Sequence, residues 1–157
     1  QHAEHSGQKQ TVFVQEHGEH ITPHVLEIAF GVDRPVYALL DIFYDEKDED
    51  EGKTTLKLPY ALAPIDVAVL PLHKKLTDKS KEVYRMLQDQ NFIAVYDESG
   101  SIGKRYLRQS VMGTPYCVTI DFETVEDDNK VTVRDRDTEE QVRVAIDELA
   151  AHLRQKH

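Results

Sequence analysis

The sequence predicts an α/β fold in which a mixed β-sheet is flanked by helices, in the order βαβαββα over residues 65–157. Three patterns support this prediction. Residues 65–72 are largely apolar, as in a strand that is buried on both faces. Apolar residues recur at helical spacing over residues 76–90, and apolar and polar residues alternate over residues 115–122. The first strands need helical crossovers and the last two form a hairpin, so the sheet is expected to be mixed.

Residues 1–44 predict a strand, a turn and a helix, in that order. Alternation over residues 10–16 indicates an edge strand, and the run "HVLEIAF" indicates a buried strand. Apolar residues at helical spacing over residues 36–43 then predict a helix, with Asp33 as its N-cap and Pro35 in its first turn. This part is too small to bury both faces of a sheet, so it is expected to be the end of a larger domain.

The acidic run over residues 45–53 predicts a solvated linker, and Pro59 and Pro64 mark its boundary with the next domain. The expected domains are therefore 1–44, an acidic linker over 45–64, and 65–157. Within the last of these, "FIAVY" predicts a strand, and residues 101–113 predict a helix capped by Ser101 and ended by Gly113. A turn at "EDDN" precedes a strand over residues 130–136.

The C-terminal stretch "DTEEQVRVAIDELAAHL" predicts a closing helix. Thr138 and Gln141 have the spacing of a capping box, and Val142, Ile146, Leu149 and Leu153 form its apolar stripe.

The chain is acidic, with 19 Lys and Arg against 29 Asp and Glu and a net charge of −10. Such a charge repels phosphate on average, so nucleic-acid binding requires a local cationic patch and should depend on salt. The sequence contains no secretory signal pattern, no run of membrane-spanning length and a single cysteine, Cys117. We therefore expect a cytoplasmic protein without a membrane partner, in which Cys117 is a buried structural thiol.

A cationic segment provides that patch. In a helix, Lys104, Arg105 and Arg108 are three or four residues apart and are expected to share one face. Tyr106, if partly exposed, is placed to stack on an unpaired base, and Arg134 follows on the last strand. The alternative is a surface helix paired with nearby carboxylates, which spacing alone favours.

Two other groups have weaker spacing signals. His17, His20 and His24 are spaced like metal ligands, but no cysteine joins them and a solvated loop is the favoured interpretation, so no metal site is predicted. Asp121 and Glu123 resemble an acid–base pair, and surface carboxylates are favoured there.

The stretch "EIAFGVDR" has the form of a strand that ends at a ligand. Gly31 permits close approach to the backbone, and Arg34 at the helix start is suited to an adenine or a phosphate. Glu27 is suited to an ammonium group. The alternative is an ordinary corner between a strand and a helix.

Four stretches resemble the C-terminal portion of glycyl-tRNA synthetase, a class II aminoacyl-tRNA synthetase: "HVLEIAFGVDRPVYALL", "LAPIDVAVLPL", "DESGSIGKRYLRQSVMGTPYCVTIDFET" and "VTVRDRDTEEQVR". The resemblance implies that residues 65–157 are the anticodon-binding domain. It also implies that residues 1–44 are the strand–turn–helix remnant of an antiparallel catalytic domain, of which they form the end, and that they carry its third signature motif.

The resemblance also implies site residues and partners. It assigns glycine to Glu27, Ala29 and Gly31; ATP to Gly31, Val32, Asp33 and Arg34; and the tRNA anticodon to Lys104, Arg105, Arg108, Asp121 and Arg134. The implied partners of the full-length enzyme are tRNA-Gly, glycine, ATP and Mg²⁺, and the implied assembly is a homodimer. Two alternatives remain open: a non-catalytic synthetase-like accessory or interaction module, and a small-molecule-binding α/β domain without an RNA role.

The first two signature motifs of the family are absent from the sequence, so the resemblance predicts a fragment without catalytic residues. We expect the isolated chain to form no glycyl-adenylate, because those motifs supply the arginine that holds ATP. The check is an ATP–pyrophosphate exchange assay, in which turnover above a protein-free control would contradict the expectation.

Overall fold

The computed structural model describes residues 1–48 and 53–155. The chain forms two compact units, Gln1–Asp33 and Arg34–His157. This division lies ahead of the helix that the sequence assigns to the first domain, and the domain boundaries at residues 44 and 64 stay predictions.

The first unit contains a short helix and a hairpin. They are α1 (His2–Ser6), β1 (Val12–Val14) and β2 (Glu19–Ile21), with the two strands antiparallel. The buried strand predicted over "HVLEIAF" is wrong. Residues 22–32 have no helix or strand, and Val25, Leu26, Ile28 and Phe30 are more than three-quarters exposed. A strand requires a hydrogen-bonded neighbour, and none of the strands in the described residues pairs with this segment.

The second unit is built on a five-stranded mixed sheet. Its strands are β5 (Val67–Pro71), β6 (Ala94–Tyr96), β7 (Tyr116–Ile120), β8 (Lys130–Asp135) and β9 (Gln141–Ala145). The order across the sheet is β6-β5-β7-β8-β9, in which β5 is parallel to both neighbours and the last three strands are antiparallel. The predicted mixed sheet is therefore confirmed.

The helices of this sheet are α3 (Thr77–Asp89), α4 (Ile102–Met112), α5 (Phe122–Glu126) and α6 (Leu149–Arg154). Both predicted limits of α4 are confirmed. The Ser101 side chain accepts a hydrogen bond from the Lys104 N–H at 3.4 Å, and Gly113 ends the helix with φ at 77°. In the described part of the chain, no helix is both long and apolar enough to cross a bilayer.

The central strand β5 is buried on both faces because helices cover both sides of the sheet. On one face Val67 and Val69 join a core that includes Val83 and Leu87 of α3 and Leu153 of α6. The other face is smaller. There Ala68, Leu70 and Cys117 pack against Ile102 and Tyr106 of α4.

The closing helix predicted over the C-terminal stretch is wrong for residues 141–145, which form β9 instead. These residues alternate Gln141, Val142, Arg143 and Val144, and β8 offers an unpaired edge that accepts their backbone hydrogen bonds. The helix begins only at Leu149. Two leucines of the predicted apolar stripe, Leu149 and Leu153, lie on this helix and are buried in the core.

The predicted acidic linker contains ordered structure. After α2 (Asp33–Phe43), β3 (Tyr44–Asp48) and β4 (Lys53–Leu56) form an antiparallel hairpin, and residues 49–52 lie outside the described residues. Thr55 and Leu58, which follow the acidic run 45–53 that the sequence predicts to be solvated, are buried. The β4 strand packs beside α4, whose end at Gly113 contacts Leu56 and Leu58.

Gly113→Ala is expected to destabilise the fold by about 1–3 kcal/mol. Its φ lies in the left-handed region, and a Cβ there would lie 3.1 Å from the Leu56 carbonyl oxygen. Gly103→Ala is the matched control, because that glycine is inside α4 with open space around it, and alanine should stabilise the helix by about 0.5–1 kcal/mol. Urea unfolding of the two variants measures both effects, and equal stabilities would contradict this account.

Candidate nucleic-acid interface

The three cationic side chains of α4 do not share one exposed face. Successive residues of a helix are about 100° apart, so Arg105 points well away from Lys104. Lys104 and Arg108 are exposed, whereas Arg105 is only 5% exposed. The prediction of a common exposed face is therefore wrong for Arg105.

The buried Arg105 joins the ends of two parallel strands. Its Nη1 donates to the Pro71 carbonyl at 2.6 Å and to the Asp97 carbonyl at 3.4 Å, at the ends of β5 and β6. This arrangement makes Arg105 a fold-stabilising residue that fixes the loop before α4.

The Arg108 guanidinium holds the same loop from the solvent side. It donates to Asp97 Oδ2 through Nη2 at 2.6 Å and through Nε at 3.1 Å, and to the Ser99 carbonyl at 2.6 Å. Partial burial by itself would raise the pKa of Asp97, but the Ser99 N–H and Arg108 outweigh it and hold that pKa below its ordinary value. Arg108 is thus already engaged by a carboxylate and a carbonyl.

The carboxylate of Asp121 is also engaged. It caps α5 by accepting from the Thr124 N–H at 2.9 Å, and it forms an ion pair with Arg143. Arg143 binds Asp128 at 2.8 Å as well and lies 3.6 Å from Glu123. Partial burial by itself would raise the pKa of Asp121. The hydrogen bonds from Thr124 and the Arg143 guanidinium outweigh burial and hold that pKa below its ordinary value.

An open cleft of about 320 Å³ lies beside the exposed part of α4, and we call it the α4–β8 cleft. It is lined by residues of β4, α4 and β8 and of the turn after β8: Thr54, Thr55, Gly103, Tyr106, Leu107, Ser110, Arg134 and Glu139. Its volume lies within the range of small-ligand pockets.

A tyrosine and an arginine form the centre of this cleft. The Tyr106 hydroxyl shares a hydrogen bond of 2.5 Å with Thr119 Oγ1, which fixes the ring. The Arg134 guanidinium carbon lies 4.8 Å from the centre of that ring, within cation–π distance. Arg134 Nη2 lies 3.3 Å from Glu139 Oε2. Tyr106 is partly exposed, which is the condition that the sequence analysis set for base stacking, and Arg134 lies next to it.

Glu139 is a cleft residue that the sequence pattern did not predict, because residues 137–153 have the pattern of a helix. The signal was the turn chemistry of "RDRDTEE": Asp135 Oδ1 accepts from the N–H groups of Asp137 and Thr138, as aspartate does in turns. The resulting turn gives Glu139 a φ of 60° and places its carboxylate in the α4–β8 cleft.

Cys117 and the histidines add no chemistry to this surface. Burial raises the pKa of the Cys117 thiol to about 12, so the predicted buried structural thiol is confirmed. Among the residues that the structure describes, no three His, Cys, Asp or Glu side chains are grouped to hold a metal ion.

The residues assigned to glycine and ATP are exposed. Glu27, Ala29, Gly31 and Val32 lie in the segment without helix or strand, and Asp33 and Arg34 begin α2. A nucleotide or amino-acid site requires an enclosed surface with convergent polar groups. The residues present do not by themselves fit ATP, Mg²⁺ or glycine, so no catalytic step is derived from them.

A family model described as "Anticodon binding domain" matches residues 66–156. The chain belongs to the anticodon binding domain family. The match covers all five strands of the sheet and every residue of the α4–β8 cleft except those of β4. The predicted fold class is therefore confirmed at the level of the family.

The chain is also similar to curated glycine–tRNA ligases. It is 49% identical to that of Clostridium tetani over 99% of this chain and 34% of the relative. It is 56% identical to that of Pyrococcus horikoshii over 88% of this chain and 24% of the relative. The chain thus spans a quarter to a third of the length of these relatives. The resemblance to glycyl-tRNA synthetase is confirmed.

A solved structure shows the same domain plan. The RNA binding domain of threonyl-tRNA synthetase from Cryptosporidium parvum Iowa II matches with a TM-score of 0.59 and 29% identity, covering 64% of this chain and 25% of that chain.

Arg105→Met is expected to lower the free energy of unfolding by about 2–3 kcal/mol, because it leaves two strand-end carbonyls without their charged donor. Arg108→Gln serves as the matched control on the exposed face of the same helix, where a loss of at most about 1 kcal/mol is expected. Denaturant titration of both variants measures the difference. A larger loss for Arg108→Gln would contradict the assignment.

The Asp121–Arg143 ion pair predicts a pH dependence. Because the folded-state pKa of Asp121 is lowered, its contribution to stability is present above the unfolded pKa and is lost as pH falls through the folded pKa. The difference in unfolding free energy between wild type and Asp121→Asn should therefore shrink from pH 6 to pH 3. A difference that stays constant over this pH range would contradict the role of the ion pair.

Proposed function

We propose that this chain recognises the anticodon of tRNA-Gly as part of a glycine–tRNA ligase. The observation that carries the proposal is the coincidence of the family match over residues 66–156 with an open cleft that holds an aromatic ring, a guanidinium and a carboxylate. Sequence-specific RNA binding favours unpaired loop bases, which stack on such rings and donate and accept hydrogen bonds at their edges.

The charge distribution supports a local contact rather than a general RNA-binding surface. The net charge of −10 repels the phosphate backbone. Among the cationic side chains of α4, Lys104 is exposed beside the α4–β8 cleft residue Gly103, while Arg105 and Arg108 are engaged by the protein. The acidic remainder of the surface then disfavours indiscriminate RNA binding.

We further propose that the ligase attaches glycine to tRNA-Gly at the expense of ATP, with Mg²⁺ as its metal cofactor, in the cytoplasm and as a homodimer. The support is the similarity to glycine–tRNA ligases at about half identical residues. The assignment of Glu27, Ala29 and Gly31 to glycine and of Gly31 to Arg34 to ATP stays a prediction. Four apolar side chains of this segment are exposed: Val25, Leu26, Ile28 and Phe30. Their exposure supports the proposal that another surface of the ligase covers the segment.

The second and third anticodon letters for glycine are both cytosine. The test is binding of the chain to a tRNA-Gly transcript and to transcripts in which either of these cytosines is replaced by uridine, at two salt concentrations. We expect the replacements to weaken binding about tenfold or more at both salt concentrations, since a well-matched base contact contributes about 1–3 kcal/mol of discrimination. Equal binding to all transcripts that disappears with salt would contradict anticodon recognition and favour the interaction-module alternative.

Lys104→Gln tests the contribution of phosphate contacts. We expect it to weaken binding to every transcript by the same factor and to reduce the salt dependence by about one counterion. Lys81→Gln is the matched control, because it removes an exposed lysine on α3, away from the α4–β8 cleft. A change in base preference with Lys104→Gln would contradict its assignment to phosphate.

A further inference from the structure

We propose that the α4–β8 cleft binds one anticodon cytosine, with Arg134 and Glu139 contacting its base-pairing edge and Tyr106 supporting the arginine. This inference rests on the proposed function and deepens it by naming the base and the side chains that distinguish it. It replaces Asp121 and Arg105 as the residues that meet the base.

The hydrogen-bonding pattern of the pair is complementary to cytosine. A guanidinium donor and a carboxylate acceptor stand side by side, with Arg134 Nη2 and Glu139 Oε2 3.3 Å apart. Cytosine presents an exocyclic amine donor next to a ring-nitrogen acceptor and a carbonyl acceptor. Glu139 accepts from the amine and Arg134 donates to the acceptors. Uracil presents a carbonyl in place of the amine and an N–H in place of the ring-nitrogen acceptor. The contact of Glu139 and the contact of Arg134 to the ring nitrogen therefore become unfavourable, while the second carbonyl is common to both bases.

The guanidinium of Arg134 is oriented before a base arrives. It lies on the face of Tyr106, whose hydroxyl is bound to Thr119, so the ring and the guanidinium are both held in place. The Arg134 side chain is 26% exposed, which leaves part of its fork open to the cleft. Leu107, which is 41% exposed, adds apolar surface for the face of a base. A preoriented donor loses less entropy on binding.

The turn that carries Glu139 is fixed by its own hydrogen bonds. Its N–H donates to the Asp135 carbonyl at 3.0 Å, and Asp135 Oδ1 holds the two residues between them. Glu139 adopts a φ of 60°, a left-handed conformation that is costly for a residue other than glycine or asparagine. The Glu139 side chain is 53% exposed and lies beside Arg134 at the edge of the cleft.

Two of the other arginine–carboxylate pairs of this domain, those of Arg143 and Arg108, are less suited to a base. The Arg143 fork is divided among Asp121, Asp128 and Glu123, and the Arg108 fork is occupied by Asp97 and the Ser99 carbonyl. Neither pair lines the α4–β8 cleft. The Arg134–Glu139 pair is the arginine–carboxylate pair of that cleft in the described part of the chain.

The experiment compares cytosine and uridine at each anticodon position for wild type, Glu139→Gln and Arg134→Lys. The wild-type preference for cytosine is expected to be roughly 10- to 100-fold. Glu139→Gln should lose most of this preference at one position and keep it at the other, because a glutamine amide presents a donor as readily as an acceptor. Arg134→Lys keeps the charge but loses the planar fork, and should affect the same position.

Glu140→Gln is the matched control, since it removes the same charge from the neighbouring exposed residue and lies outside the cleft. Thermal unfolding of all variants confirms that they are folded. If wild type prefers cytosine and Glu139→Gln and Arg134→Lys behave like Glu140→Gln, the inference is wrong while anticodon recognition stands. If Glu139→Gln only strengthens binding to every transcript alike, the carboxylate merely repels phosphate and the inference is again wrong. If wild type has no preference, the proposed function itself fails.

Discussion

The buried guanidinium of Arg136 is the contact on which the second unit depends. It donates to the Gly113 carbonyl at 2.8 Å and to the Leu58 carbonyl at 2.7 Å, and it pairs with Asp137. A buried charge is costly unless its donors are satisfied, and here they bind three separate acceptors. The segment after β4 is thereby held against the end of α4 and the start of β7. The same contact helps to position one wall of the α4–β8 cleft, because Thr54 and Thr55 lie four and three residues before Leu58 in the chain.

Arginine has two roles in this acidic chain. Arg105, Arg108 and Arg143 stabilise loop ends and helix starts, with donors occupied by backbone carbonyls or carboxylates. Arg134 differs because its guanidinium rests on the Tyr106 ring and lines the α4–β8 cleft, where it is paired with Glu139. This division explains why a count of cations on α4 overstates its capacity for RNA. Exposure and the existing partners of each fork, rather than charge, decide which arginine is available to a ligand.

The cleft and the family membership support each other without depending on the same observation. The family match rests on the sequence of residues 66–156, whereas the cleft also includes β4, which lies before that range. The sheet provides a rigid frame, and the two sides of the cleft come from elements that are distant in the chain. Such a site has fixed geometry, which is what discrimination between two pyrimidines requires, because the bases differ only in the direction of their hydrogen bonds.

Local sequence patterns determined β5, α3 and α4 of this protein. An apolar run, a helical stripe, the Ser101 cap and the Gly113 stop each depend on neighbours within a few residues. Sequence motifs specific to the family likewise identified the domain without reference to its structure. Tertiary structure alone decided three features: residues 24–30 are not a strand, residues 141–145 are one, and Arg105 is buried. The physical reason is that a strand forms only where the edge of another strand is available for pairing, and a side chain is buried only where another element packs against it. In both cases the contacting element is remote in the sequence.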